Sequence, residues 1–431
     1  MISGLVERSG GRAVLAVLAA ILLLGFGLRA REAWDGRAPV YDAAAYAKIA
    51  ANLDEGNGFT GGPTATQPSS NYSPGVPLLV AGIYELTGGV HEQAARLALA
   101  LIGTLSVLFT YLIGRRLSGP LAGLTGAGAV AVYPALLEYQ GMLMGEPLAA
   151  TLLSGAVLTT LWAAGPAISA RGRWLMPGVL FGALALVRPE YLAIVLLASL
   201  VVLMRRNWRE TAACAGLLLL GAVLVIAPWT VRNAIALDRF VPVSTGGGQV
   251  LFAGTYLPSG GNPEKVGAEV VERHPELFGP RAVRRLRMEQ ILARLAAQTH
   301  PGEESDKALA RMGREQLWDD VSEEPLEYAG FVGKKMARIW SHGPRDVMRE
   351  PGWELLHWAL VALGLIGLIV LAKQRRWEAL LLATIIVAIT AVSALLVASP
   401  RRVLVMMPLV AALAGVGATA CRDSLARRWQ R

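Results

Sequence analysis

The sequence predicts an all-α polytopic membrane protein, and three observations predict it. Hydrophobic residues make up 54% of the 431 and charged residues only 17%, whereas a soluble globule carries about a quarter charged residues. Mean hydropathy is +0.46. Apolar runs such as LLLLGAVLVIAP and LIGLIVLA recur along the chain, as membrane spans require. A soluble enzyme, a disordered scaffold and a disulfide-built secreted domain are excluded. Cys214 and Cys421 supply neither a disulfide framework nor a CxxC metal site.

A window of roughly 20 apolar residues per span predicts about ten membrane helices. They fall near 13–29, 94–114, 120–136, 147–165, 174–187, 190–204, 211–228, 353–372, 378–397 and 403–420. The fifth and sixth are short and meet at Arg188-Pro189-Glu190, which also suits a hairpin dipping only partway. With a cytoplasmic N-terminus, the inner segments carry Arg8, Arg12, Arg115, Arg116, Arg171, Arg173, Arg205, Arg206, Arg209, Lys373, Arg375 and Arg376. The tail adds Arg422, Arg427, Arg428 and Arg431. Basic residues thus recur at every second boundary, as a single orientation demands. The excess of 41 Lys plus Arg over 32 Asp plus Glu is read the same way, and no basic stripe on a water-soluble fold points to nucleic acid. Arg8 and Arg12 before an apolar stretch also describe a signal peptide. The run is longer than a signal core and LRAREAW is a poor cleavage context, so it reads as a retained helix.

Three regions follow: a transmembrane domain at 1–228 that includes an external loop at 30–93, an extracytoplasmic, mainly α segment at 229–352, and membrane helices with a basic cytoplasmic tail at 353–431. Within 281–297, Leu286, Ile291, Leu292 and Leu295 mark one face, while Arg281, Arg284, Arg285 and Arg287 crowd the other turns. The pattern fits a helix at the lipid headgroups and equally a solvated helix packed on its neighbours. No repeat of fixed period is present. The stretch GGPTATQPSSN at 61–71 reads as a loop.

Polar residues at the outer ends of spans need a reason. Asp42, Tyr46, Ile49 and Leu53 share one face of a helix that follows Pro39 and closes at Gly56. Asp42 at its start reads either as an N-cap, worth about 1 kcal/mol, or as a functional acid. Glu146 precedes Pro147 and suits the first turn of the fourth helix, where the helix dipole favours a carboxylate with or without catalysis. Glu138 is less restricted. Arg188, Arg232, Arg401 and Arg402 fall outside against the charge trend. Singly they snorkel to headgroups, and Trp229 reads as an interfacial anchor; together they offer paired donors to a phosphate. The run STGGGQ at 244–249 is either a turn or a close approach of backbone to a ligand. The histidines form no HExxH or HxH pair. A divalent metal ion held by oxygens of Asp42 and Glu146 is left open, and nothing in the sequence requires one.

The order of these pieces resembles the GT-C glycosyltransferases, polytopic enzymes that use polyprenyl-phosphate-linked sugars and include protein O-mannosyltransferases and bacterial aminoarabinose transferases. The resemblance runs from about 30 to 410. Asp42-x-x-x-Tyr46 with KIAANLDEGNGF resembles the first external loop and its essential acid, and NYSPGVPLLVAGIYELTG, with Tyr72, the stretch after it. GEPLAATLL at 145–153 matches a second acid opening the fourth helix, and ALVRPEYLAI a recurrent Arg/Lys-Pro turn with Arg188 and Glu190. PWTVRNAIALDRFVPVSTGGG, with Arg232 and Asn233, is the most specific match. EEPLEYAGFVGKKMARIW and SPRRVLVMMP fit the closing segments. Two features depart from the pattern. Ala43 follows Asp42 where mannosyltransferases have adjacent acids, and Arg401 and Arg402 are adjacent where a tyrosine often intervenes.

The resemblance implies an integral membrane glycosyltransferase of the bacterial inner membrane with an extracytoplasmic site. It implies Asp42 as general base in an inverting transfer from a polyprenyl-phosphate sugar to a hydroxyl of a glycan, lipid or protein acceptor. Glu146 is expected to orient a substrate, Arg232, Arg188 and Arg401 to bind the donor phosphate, and Tyr46, Tyr72, Glu190 and Asn233 to line the substrate site. No organic cofactor is expected. A transporter or flippase of lipid-linked glycans is the alternative from another class, although its polar groups belong near the membrane midplane. A glycan polymerase or ligase shares the donor and the large external loops.

Overall fold

The computed structural model describes residues 2–36, 38–61, 67–165, 171–204, 208–279, 282–341 and 346–429. Arg205, Arg206, Arg281, His342 and Arg431, with 62–66 of the 61–71 loop, lie outside them. Nineteen α-helices follow in order among the described residues. They are α1 (Ile2–Trp34), α2 (Asp42–Asp54), α3 (Gly75–Thr87), α4 (Glu92–Ser118), α5 (Pro120–Val132), α6 (Pro134–Glu138), α7 (Gly145–Ala163), α8 (Leu175–Val187), α9 (Leu192–Leu203) and α10 (Trp208–Leu237). Then come α11 (Gly247–Thr255), α12 (Val266–Arg273), α13 (Ala282–Arg285), α14 (Met288–Thr299), α15 (Ser305–Glu323), α16 (Pro325–Ser341), α17 (Pro351–Lys373), α18 (Trp377–Leu395) and α19 (Met407–Trp429). The described residues form no strand; an isolated antiparallel bridge joins Thr60 and Pro68.

The chain divides into two compact units. The first comprises 1–243, 345–386 and 404–431, and the second 244–344 and 387–403. The first unit is a helical bundle whose helices approach closely where side chains are smallest. A Cβ at Gly178 of α8 would meet the Leu218 carbonyl of α10, and one at Gly417 of α19 would meet the Leu363 carbonyl of α17. Small residues serve this purpose in membranes, where packing rather than hydrophobic exclusion joins helices.

Among the described residues, six helices are long and apolar enough to cross a membrane, and seven if the bent pair α5–α6 counts as one. The expectation of about ten spans is therefore corrected. The helix α8 has 13 residues and α9 has 12, short of the roughly 20 that a bilayer core needs, and the turn at Arg188-Pro189 separates them. In α7, Glu146, Thr151, Ser154 and Thr160 are buried. That helix faces protein rather than lipid, so it tolerates polar residues. The chain is nonetheless a multi-pass membrane protein. The helix α10 continues past the span read at 211–228 and carries Pro228, Trp229, Arg232 and Asn233 within it.

In the second unit, Phe252, Val266, Val270, Ile291, Leu292, Leu295 and Leu309 form the core. The apolar face read at 281–297 thus packs inside its own unit, with Leu286 against the same core. The glycine run also has an internal partner. Asp306 accepts hydrogen bonds from the backbone N–H groups of Gly246 at 3.1 Å, Gly248 at 2.9 Å and Gln249 at 3.2 Å. This carboxylate caps the start of α11 and occupies the donors that a ligand would have used. At the other end of α11, buried Lys335 donates to the Gly254 carbonyl at 2.5 Å and to the Leu396 carbonyl, just past α18, at 2.7 Å. Burial pushes this ammonium down to about 7, and nearby Arg402 adds to the effect.

Candidate active site

The short helix α2 is set by a small apolar floor. Ile49 and Phe59 are buried with Trp229 of α10, and Leu53, Tyr72 and Leu186 pack against them. Phe59 meets Trp229 edge-on with ring centroids 4.7 Å apart. The Trp229 indole N–H donates to the Val243 carbonyl at 2.7 Å, so this residue is an internal pillar rather than the interfacial anchor its position suggested. Asn52 on the same helix donates to the Thr60 carbonyl at 2.9 Å. The face read from Asp42, Tyr46, Ile49 and Leu53 is therefore the one that packs.

Asp42 is the first residue inside α2, and Tyr41 holds the capping position without a side-chain cap bond. The N-cap reading of Asp42 is thereby corrected. Tyr41 has φ 51° and ψ −125°, a conformation that costs a non-glycine residue about 1–3 kcal/mol and clusters at functional sites. Its ring is exposed. One turn along α2, Tyr46 meets Tyr72 edge-on at 5.9 Å.

Arg188 and Glu146 meet where three helix ends converge. Glu146 is fully buried in the first turn of α7. It accepts a hydrogen bond from Nη2 of Arg188, which closes α8 in extended backbone conformation. Nη1 of the same arginine stands 3.7 Å from Glu190. Glycines make the convergence possible: a Cβ at Gly75, opening α3, would stand 3.0 Å from the Val187 backbone, and one at Gly145 would stand 3.3 Å from Val187 Cγ1. Pairing and hydrogen bonding are what permit two charges to be buried together.

Arg232 and Asn233 sit elsewhere in the same unit and do a different job. Arg232 donates to the carbonyls of Ser69 and Phe59, each at 2.9 Å, and to Asn233 Oδ1 at 3.0 Å. Its guanidinium also lies over Phe59 and Trp229, at 5.4 and 4.9 Å from the ring centroids. Three of an arginine's five N–H groups are thus committed to protein acceptors. Asn233 is fully buried and donates to the carbonyls of Val241 and Val243. In the structure these two side chains brace the backbone at Phe59 and Ser69 and the turn after α10. Arg401 lies in the second unit, in the 3-10 turn Pro400–Val405.

A divalent ion fits this donor set poorly. No group of three or more His, Cys, Asp or Glu gathers among the described residues, and Glu146 already has a cation as its partner. The sequence pointed to Asp42, Glu146 and Arg188. It missed the bracing residues Asn52, Phe59 and Trp229, whose roles depend on a loop returning to α10 and leave no mark in local spacing.

The fold is the all-helical membrane fold of the GT-C glycosyltransferases. Residues 68–231 match the family model described as dolichyl-phosphate-mannose-protein mannosyltransferase, a stretch that holds Tyr72, Glu146, Arg188 and Glu190. Among solved structures, the chain is similar to the oligosaccharyltransferase AglB of Archaeoglobus fulgidus in complex with an inhibitory peptide and a dolichol-phosphate, with a TM-score of 0.59 and 15% identity over 97% of this chain and 51% of that one. An Archaeoglobus fulgidus oligosaccharyltransferase in complex with Zn and sulfate gives a TM-score of 0.56 and 15% identity over 96% and 50%. ArnT from Cupriavidus metallidurans bound to undecaprenyl phosphate is more remote, with a TM-score of 0.42 and 17% identity over 94% and 76%. The chain spans about half the length of the archaeal structures. The sequence has no match among curated proteins.

Proposed function

We propose that this protein transfers a sugar from a polyprenyl-phosphate donor to an acceptor hydroxyl at the extracytoplasmic face of a bacterial inner membrane. The observation that carries the reading is the Arg188–Glu146 pair, held in the same compact unit as Asp42 and Tyr46 of α2. The GT-C fold around it and the family match at 68–231 support the same chemistry. Nucleotide sugars are cytoplasmic, so transfer at the outer face needs a donor carried by lipid.

Asp42 acts as general base. It takes the proton of the acceptor hydroxyl as that oxygen bonds to the anomeric carbon. The bond from the anomeric carbon to the phosphate oxygen breaks on the opposite side, so configuration inverts. The departing polyprenyl phosphate gains negative charge, and the loosely held Nη1 edge of Arg188, 3.7 Å from Glu190, meets it. Glu146 holds the opposite edge and so fixes the direction in which the guanidinium points. Tyr46 and Tyr72 offer ring faces and hydroxyls to the sugar. Arg232 shapes the loop around the site.

Lipid-linked sugars and surface glycans compared between cells with and without the protein test this reading. Accumulation of one polyprenyl-phosphate sugar on deletion supports it and names the donor. Unchanged pools together with unchanged surface glycans contradict it.

A further inference from the structure

A buried arginine in the first membrane helix takes no part in the proposed chemistry. Arg29 of α1 is 1% exposed, and no carboxylate among the described residues pairs with it. A charge in such a place is expensive and usually functional. Its hydrogen bonds say what it serves. Nη1 donates to the carbonyls of Gly25 at 3.1 Å and Ala131 at 3.2 Å, and Nη2 to that of Val130 at 3.0 Å. All three acceptors are backbone oxygens, so this guanidinium is already engaged and is no second phosphate site.

The need for such a donor arises four residues on. Val130 would accept from the N–H of residue 134 if α5 continued, but residue 134 is proline and has none. The chain breaks there and α6 leaves at 54°. An orphaned carbonyl within a bilayer has no water to turn to and must find a donor in the protein. Arg29 supplies the missing N–H groups from the neighbouring helix. The break is pinned further where the Tyr133 hydroxyl meets Nδ1 of His357 at 2.9 Å. Beyond it, the segment remains locked to α1. A Cβ at Gly141 would stand 2.6 Å from the Glu32 carbonyl, and Gln140 and the Arg29 stem both lie against Gly103. Leu143 then takes φ 50°, and two residues later α7 opens with Gly145 and Glu146.

We propose that Arg29 is a positioning residue for the Glu146–Arg188 pair, standing in for the N–H that Pro134 lacks and so fixing the broken segment that delivers Glu146 to Arg188. The proposal rests on the reading of Arg188 as the phosphate partner. It is tested with full-length protein in lipid nanodiscs and undecaprenyl phosphate, the carrier without sugar, as probe. Arg29→Met keeps the length of the side chain and removes its donors. It should weaken carrier binding about tenfold, the size of coupling that a chain of packed groups carries between sites. Arg29→Lys should fall between Met and the parent, and it carries the test if the Met variant does not fold. In a background of Glu146→Gln with Arg188→Met, which removes the pair without leaving either charge alone, Arg29→Met should cause no further loss. A purely structural role would lower binding equally in both backgrounds, and that result overturns the proposal, as does unchanged binding in the folded Met variant. Amide exchange over 139–146, read on the same proteins, should rise in Arg29→Met and less in Arg29→Lys; unchanged exchange overturns the proposal as well. If the double background binds the carrier as tightly as the parent, the phosphate role of Arg188 fails instead, and the exchange result alone decides the role of Arg29.

Discussion

Glu146 accepts a hydrogen bond from Arg188 across the meeting of α7 with the turn between α8 and α9; the carboxylate is fully buried, and the guanidinium keeps a small exposed edge. Two residues 42 positions apart in the chain thus form one electrostatic unit. A buried pair of this kind contributes modestly as a pair, yet removing one member strands the other.

Glu146→Gln should therefore destabilise the protein by about 3–5 kcal/mol, and Arg188→Met should do so comparably. The double variant should recover part of that loss, because no lone buried charge is left. Thermal unfolding in detergent of the three variants checks this. Additive losses would mean that the two side chains are not coupled.

Arg232 offers a different expectation. Its hydrogen bonds to Phe59 and Ser69 hold the loop that follows α2. Arg232→Ala should raise proteolytic cleavage between 55 and 72 and lower the melting temperature. Arg232→Lys should rescue only partly, since a point charge cannot bridge two carbonyls as the planar fork does. Loop protection and melting temperature equal to the parent's in the Ala variant would remove this bracing role.

Much of this was legible in the sequence, and the limits have physical causes. The face of α2 was readable because Asp42, Tyr46, Ile49 and Leu53 keep helical spacing, and Glu146 because Pro147 marks a helix start. The span count was overread at α8 and α9, which are apolar but shorter than a bilayer core needs, and at α7, whose Glu146, Thr151, Ser154 and Thr160 dilute its apolar run. The partners of Arg232 and Arg29 were hidden for another reason. Both arginines donate to backbone carbonyls distant in sequence, and a carbonyl leaves no trace in residue type. The glycine run at 246–248 stayed open between a turn and a ligand approach because Asp306, which fills it, lies far along the chain.

Lys335 supplies a pH dependence. Its pKa in the folded unit is about 7, below that of an unfolded lysine at about 10.4. Between these values the unfolded chain binds the extra proton, so this residue's contribution to stability rises with pH across that window; below about 7 both states are protonated and the burial penalty is constant. The melting temperature of the parent relative to Lys335→Met should climb from pH 7 to pH 9 and stay level from pH 5.5 to pH 6.5. A difference that is flat across the whole range would contradict the depressed ammonium.

The orientation is open to direct labelling. With the N-terminus in the cytoplasm, single cysteines placed at 300 and 326 should react with an impermeant reagent added outside intact cells, and cysteines at 115 and 373 should not. Labelling of 300 only after the membrane is opened would move the site to the cytoplasmic face and remove the need for a lipid-borne donor.

The central claim is that Asp42 is the base, and Asp42→Asn measures it most directly. Asparagine keeps the size and polarity of the side chain at the start of α2, and Tyr41 rather than residue 42 holds the cap position, so folding should survive the change. An amide cannot take the acceptor's proton, and general-base catalysis is worth about 100- to 10,000-fold. The measurement is the rate of sugar transfer by purified protein in lipid, from the polyprenyl-phosphate donor that accumulates on deletion, with carrier affinity and melting temperature recorded alongside. The account predicts a loss of that order in rate with affinity and melting temperature near those of the parent. Transfer at the parent's rate by the Asn variant would contradict it.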